Sequence, residues 1–129
     1  MSEEFTASAI WPPMLPGPHS PDLPKAALSW LDTVVPADRW RHGPLVDQPW
    51  LVATMAAVTI RRQIDMLRQS YRETRELYGR LIPPDRLQML LDAHVRQAQY
   101  LEALLEQVLQ VEQALFQAGG ARPPKPPVQ

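Results

Sequence analysis

The chain has 129 residues, a formal net charge of −1, 45% hydrophobic residues and no Cys. The near-neutral charge excludes a global field that would steer the chain toward nucleic acid or an anionic membrane. The lack of Cys excludes disulfides, thiolate metal sites and Cys nucleophiles. The length suits one domain with appendages. An acidic start without a basic region or an apolar core predicts a cytoplasmic protein, or part of a particle assembled there, and not one secreted by a signal peptide.

Residues 1–47 form a Pro- and Trp-rich arm with three basic and six acidic residues. Its first 22 residues predict an extended, polyproline-like chain, and the PxxP segments at 13–16 and 18–21 resemble generic polyproline ligands. A short helix is predicted near 24–35, where Pro24 suits the first turn and Pro36 ends the segment. The arm is therefore interpreted as a docking element that carries one short helix.

Residues 48–118 carry the strongest helical pattern. Asp47 or Gln48 can cap a first helix over about 49–81, and Pro49 fits its first turn. A second helix is predicted over about 84–118, after the Pro83-Pro84 break. Apolar or small residues recur at spacings of three and four along both segments, which is a coiled-coil-like seam. The predicted fold is all-α.

A connection of two or three residues would make these helices antiparallel, and facing residues would then have numbers that sum to about 168. That register predicts a polar layer of Thr74, His94, Tyr71 and Gln97. The layer is either a buried binding spot with a pH-sensitive His, or a hydrogen-bonded layer that fixes the register; the sequence favours the second interpretation. Residues 119–129 are a Gly/Pro-rich tail, expected to be disordered or extended, and nothing assigns a role to its PPKPP segment.

The open end of the predicted hairpin is apolar on all sides and must be covered, either by the arm or by a further chain. Whether the arm packs on its own chain or on a neighbour is left open by the sequence. The candidate partner-binding residues are the four Trp and the outward apolar residues of the open end: Trp11, Trp30, Trp40, Trp50, Leu51, Met55, Val58, Leu109 and Phe116.

An arginine stripe on the first helix is the candidate anion-binding site: Arg61, Arg68, Arg72 and Arg75. A nucleic-acid contact is one interpretation, since Arg binds phosphate in a bidentate manner. A solvated face is favoured, because only Tyr71 supplies an aromatic side chain among these residues and Tyr71 belongs to the seam. Membrane insertion is not expected, since the charge-free run from Pro49 to Ile60 is shorter than the roughly 20 residues that a bilayer requires.

No G-x-S-x-G, Walker A, dinucleotide-binding or H-E-x-x-H motif occurs in the chain. His94, the only His in the predicted helices, has Leu90 and Leu91 on the preceding turn, so it lacks the carboxylate partner of a di-iron bundle. The chain is therefore expected to be no enzyme and to need no metal or other cofactor.

The expected function is a structural or assembly subunit of a larger multi-protein particle, of which a virion is one kind. Its expected partners are proteins, either copies of itself or other subunits. The alternative is a small regulatory adaptor that grips one protein target, such as part of the transcription machinery.

Overall fold

The computed structural model describes residues 10–35 and 48–118, and over these residues the chain has three α-helices and no strand. We number them α1 (Leu23–Val34), α2 (Pro49–Leu77) and α3 (Pro84–Ala118). Contacts divide the chain into two compact units. Unit 1 comprises Met1–Ala57 with Glu106–Gln129, and unit 2 comprises Val58–Leu105. The tail at 119–129 lies outside the described residues.

Local sequence accounts for where α1 begins and ends. Pro24 lies in its first turn, where a missing N–H costs no helical hydrogen bond. Asp22 is the N-cap, and its carbonyl accepts the first helical bond from the N–H of Ala26, at 3.1 Å. The N–H of Val35 closes the last turn on the carbonyl of Leu31, at 3.0 Å. One side of α1 is buried, and it comprises Leu23, Ala27, Trp30 and Leu31.

The segment before α1 folds as successive turns. The N–H of Leu15 donates to Pro12, that of Ser20 to Gly17 and that of Leu23 to Ser20, at 3.0–3.2 Å. A polyproline helix has no internal hydrogen bonds. The prediction of an extended chain is therefore wrong for residues 10–22, because backbone carbonyls in this segment accept hydrogen bonds from the N–H groups three residues later.

Unit 1 also contains the start of α2 and the end of α3. Gln48 caps α2, since its carbonyl accepts from the N–H of Leu51 at 2.9 Å. The two helices run antiparallel in this unit, because Trp50 stacks on Phe116 and Thr54 bonds to Glu112. Small and branched residues on these segments form a close-packed core: Val52, Ala53, Ala56, Ala57, Val108, Val111, Ala114 and Leu115.

Unit 2 is an antiparallel pair formed by the rest of α2 and α3. Arg68 pairs with Glu102 and Ser70 with His94, so rising numbers on α2 meet falling numbers on α3. Its buried residues are few: Ile60, Ile64, Leu91, Leu101 and Leu104. Two helices without a third layer bury only one side of each. The core of unit 2 is therefore thin.

The turn of the hairpin differs from its prediction. Helix α2 ends at Leu77 instead of Leu81, and the connection spans residues 78–83. A turn bond from the N–H of Leu81 to the carbonyl of Tyr78, at 3.0 Å, replaces the last predicted helical turn. Tyr78 and Leu81 are exposed, because residues beyond the end of α2 no longer follow its buried side.

Gly79 occupies a position in this turn that admits no side chain. A Cβ there would lie 2.6 Å from the carbonyl oxygen of Arg75, whereas a Cβ at Gly17 would meet nothing within 4 Å. We expect Gly79→Ala to lower the free energy of unfolding by about 1 kcal/mol or more, because backbone must move to relieve the clash. Gly17→Ala is the matched control and should change stability by less than about 0.5 kcal/mol. Urea denaturation followed by circular dichroism measures both, and equal effects would contradict the close approach.

Candidate protein-interaction site

Two of the predicted docking Trp residues belong to the core of unit 1. Trp11 is only 5% exposed, and its indole Nε1–H donates to the carbonyl of Pro16 at 3.1 Å. Trp30 is also buried, on the inner side of α1. A large aromatic side chain and a satisfied N–H are typical of a structural anchor. In this conformation neither side chain is accessible to a partner.

The open-end residues in unit 1 are covered to different degrees. Phe116 is buried against the half-buried ring of Trp50, with ring centroids 4.7 Å apart and an interplanar angle of 26°. The indole Nε1–H of Trp50 donates to the side chain of Gln48 at 3.0 Å. Three further residues of the predicted set are half-buried: Leu51, Met55 and Leu109. Trp40 lies outside the described residues.

One side of the unit 2 hairpin carries arginines. Leu67, Tyr71, His94, Val95 and Ala98 line a shallow groove there together with Arg68 and Arg72. Arg68 lies 3.2 Å from Glu102 and 3.8 Å from Asp65, and the guanidinium of Arg75 lies 5.8 Å from the ring centre of Tyr71. The fourth member of the stripe, Arg61, is exposed. We call this side the arginine groove.

The other side of the same hairpin has no charge in its groove. Six residues line it: Gln63, Met66, Leu67, Ser70, Gln97 and Leu101. It is an open groove with a volume of about 420 Å³. We call it the uncharged groove. Sequence analysis missed it because Gln63, Met66 and Ser70 lie beside the heptad seam, while Gln97 was assigned to the polar layer within it.

A polar cluster crosses between the helices of unit 2, but with a partner that was not predicted. The Nδ1–H of His94 donates to the carbonyl of Leu90 at 2.7 Å, and Nε2 lies 2.8 Å from the hydroxyl of Ser70. The ring of Tyr71 meets that of His94 edge-on, with centroids 6.4 Å apart. Thr74 was expected opposite His94, but Ser70 lies one turn earlier. The difference is local to this pair, because Thr54–Glu112 and Arg68–Glu102 have numbers that sum to 166 and 170, close to the predicted 168.

The geometry of His94 fits the register-fixing interpretation. A carbonyl can only accept, so Nδ1 carries a proton and donates to Leu90, which leaves Nε2 for the bond to the Ser70 hydroxyl. A hydrogen bond that joins α2 to α3 is what the register-fixing interpretation requires.

The exposed large apolar residues lie mostly in unit 2. They are Val58, Met66, Leu77, Tyr78, Leu81, Met89, Leu90, Val95 and Tyr100. Of these only Val58 was a predicted partner-binding residue. Exposed residues on α3 also line a further shallow groove, apart from the arginine groove and the uncharged groove. It includes Ile82, Met89, Ala93 and Arg96.

Within residues 10–35 and 48–118, no group of three or more His, Asp or Glu side chains could hold a metal ion. None of the three helices has a stretch that is long and apolar enough to cross a membrane. Comparison with known proteins found no matching family model, no matching curated protein and no matching solved structure.

Burial of Trp11 gives a direct test of the core of unit 1. We expect Trp11→Ala to lower the free energy of unfolding by about 3 kcal/mol, because it leaves a large cavity and removes the bond to Pro16. Met14→Ala is the control, since Met14 is 67% exposed in the same segment, and it should cost less than about 0.5 kcal/mol. Chemical denaturation measures both. Equal, small effects would show that the segment contributes nothing to the core.

The Ser70–His94 bond can be isolated by a double-mutant cycle. We expect Ser70→Ala and His94→Ala to show a coupling energy of about 0.5–1.5 kcal/mol, which is the range of a partly buried hydrogen bond. The exposed Gln69–Glu73 bond on the same helix is the control pair, with an expected coupling below about 0.5 kcal/mol. Strictly additive effects of Ser70→Ala and His94→Ala would contradict a register-fixing role.

Proposed function

We propose that this chain is a non-enzymatic assembly subunit of a larger multi-protein particle, and that it docks through the hairpin of unit 2. One observation carries the proposal. Large apolar side chains of unit 2 are between 39% and 78% exposed, and Leu81, Met66 and Met89 are the most exposed of them. These exposed side chains favour a protein-interaction site, because burial of apolar surface on a partner is favourable by about 25 cal/mol per Å².

The arm has a different role in this proposal from the one that its composition suggested. Trp11 and Trp30 complete the core of unit 1, so the arm stabilises its own chain. The open end is then largely covered, with Phe116 buried and Leu51, Met55 and Leu109 half-buried. Docking is therefore assigned to the surface that lacks such a cover.

The proposal is tested by the native size of the complex. We expect a tagged full-length chain, expressed at its natural level in the cells that make it, to elute from size exclusion in a large complex with a fixed ratio to other subunits. Elution as a free 14.7 kDa chain would overturn the proposal. Binding to a single regulatory target in a one-to-one complex would favour the adaptor alternative instead.

Variants at the exposed surface make the same experiment specific. Leu81→Glu with Met89→Glu should release the chain from the complex, because two carboxylates would have to be buried at the interface. Both side chains are mostly exposed, so the fold should tolerate the change. Gln110→Glu on exposed α3 surface in unit 1 is the control and should stay in the complex. Loss of the Gln110→Glu control from the complex, together with the double variant, would contradict docking through unit 2.

A further inference from the structure

We infer that two copies of this chain pair face to face through the uncharged groove of unit 2, which gives a four-helix bundle from two hairpins. The inference rests on the proposed assembly function and names the first partner as the chain itself. Four-helix bundles are the simplest closed arrangement for antiparallel helical pairs that leave one side uncovered.

Exposed apolar residues lie on the same side of the hairpin as the groove. Met66 lines it, and Leu77 follows Met66 by eleven residues, which is three helical turns and the same side of α2. Leu90 precedes the groove residue Gln97 by seven residues, or two turns of α3. Met66, Leu77 and Leu90 are all exposed. A partner on this side would cover all three.

Charge selects this side for a pair of identical chains. Pairing through the arginine groove would bury Arg72 and the ion pairs of Arg68 with Asp65 and Glu102, and removing charged groups from water is costly. The uncharged groove brings no charged lining residues together. Its polar residues are Gln63, Ser70 and Gln97. A Gln amide both donates and accepts, so Gln63 and Gln97 can each bond to a donor or an acceptor on the second copy.

The charges at the edges of the groove fit a two-fold axis along the hairpin. Such an axis sets α2 of one copy against α3 of the other. Glu73 lies on the α2 edge, seven residues after Met66, and Arg96 lies on the outer side of α3 beside Leu90 and Ala93. Neither has an ion-pair partner among the described residues. Glu73 and Arg96 lie at nearly the same position along the helix axes of the antiparallel pair. The two-fold axis therefore places each Glu73 near Arg96 of the second copy.

The available area reaches the lower end of the range for specific interfaces. Each helix segment of unit 2 has about 20 residues, so the side is about 30 Å long and, with two helices, about 20 Å wide. That gives on the order of 600 Å² per copy for a flat surface, and specific interfaces bury roughly 600–1,000 Å² per partner.

Sedimentation equilibrium of the purified full-length chain, from about 1 µM to about 1 mM, tests the inference. We expect twice the 14.7 kDa mass of one chain at the upper concentrations. Gln97→Glu should raise the dissociation constant at least about tenfold, because it buries two unpaired carboxylates near the axis. Gln99→Glu is the matched control, with the same chemical change two residues away on the same exposed helix, and should leave the constant within about twofold.

A charge reversal tests the orientation. Glu73→Arg should weaken the pair, and combining it with Arg96→Glu should restore the pair. Circular dichroism confirms that each variant keeps its helix content. The inference is overturned if the chain keeps the mass of one copy throughout, or if Gln97→Glu and Gln99→Glu shift the constant equally. A pure monomer that still elutes in a large cellular complex would overturn the pairing alone and leave the assembly proposal standing.

Discussion

A pair of helices can bury only one side of each helix, and this constraint accounts for the different character of the two units. Unit 1 adds α1 and the turns before it to the helical pair, and its core includes fully buried Leu23, Leu31 and Val111. Unit 2 consists of the pair and its turn, and Met66, Leu81 and Met89 remain exposed. The proposed docking surface follows from this difference.

The aromatic residues show how composition can point to burial without saying where it occurs. Trp and Pro are concentrated in the first 50 residues, which indicated docking onto another surface. The indole of Trp11 is instead held by a carbonyl five residues away and packed in unit 1. A docking element and a core element have the same composition, because both must remove large apolar side chains from water.

The two sides of the hairpin in unit 2 differ in charge, and this difference distinguishes the side proposed for pairing from the opposite side. Arg68 is paired with Glu102, while Ser70 and Gln97 leave the opposite groove without charge. The His94–Ser70 bond crosses between the helices, and Ile60, Ile64, Leu91, Leu101 and Leu104 are buried between them. The side chains that line each groove are those that lie beside this buried contact.

The sequence by itself determined the all-helical class, the start of α2 at Pro49 and the limits of α3 at Pro84 and Ala118. Pro, Gly and heptad spacing act through the local backbone, so they can be interpreted without the rest of the chain. Only the tertiary structure decided that α2 ends at Leu77, that His94 meets Ser70 instead of Thr74, and that Trp11 is buried in its own chain. These outcomes depend on helix rotation and on contacts between distant residues, which heptad spacing does not specify.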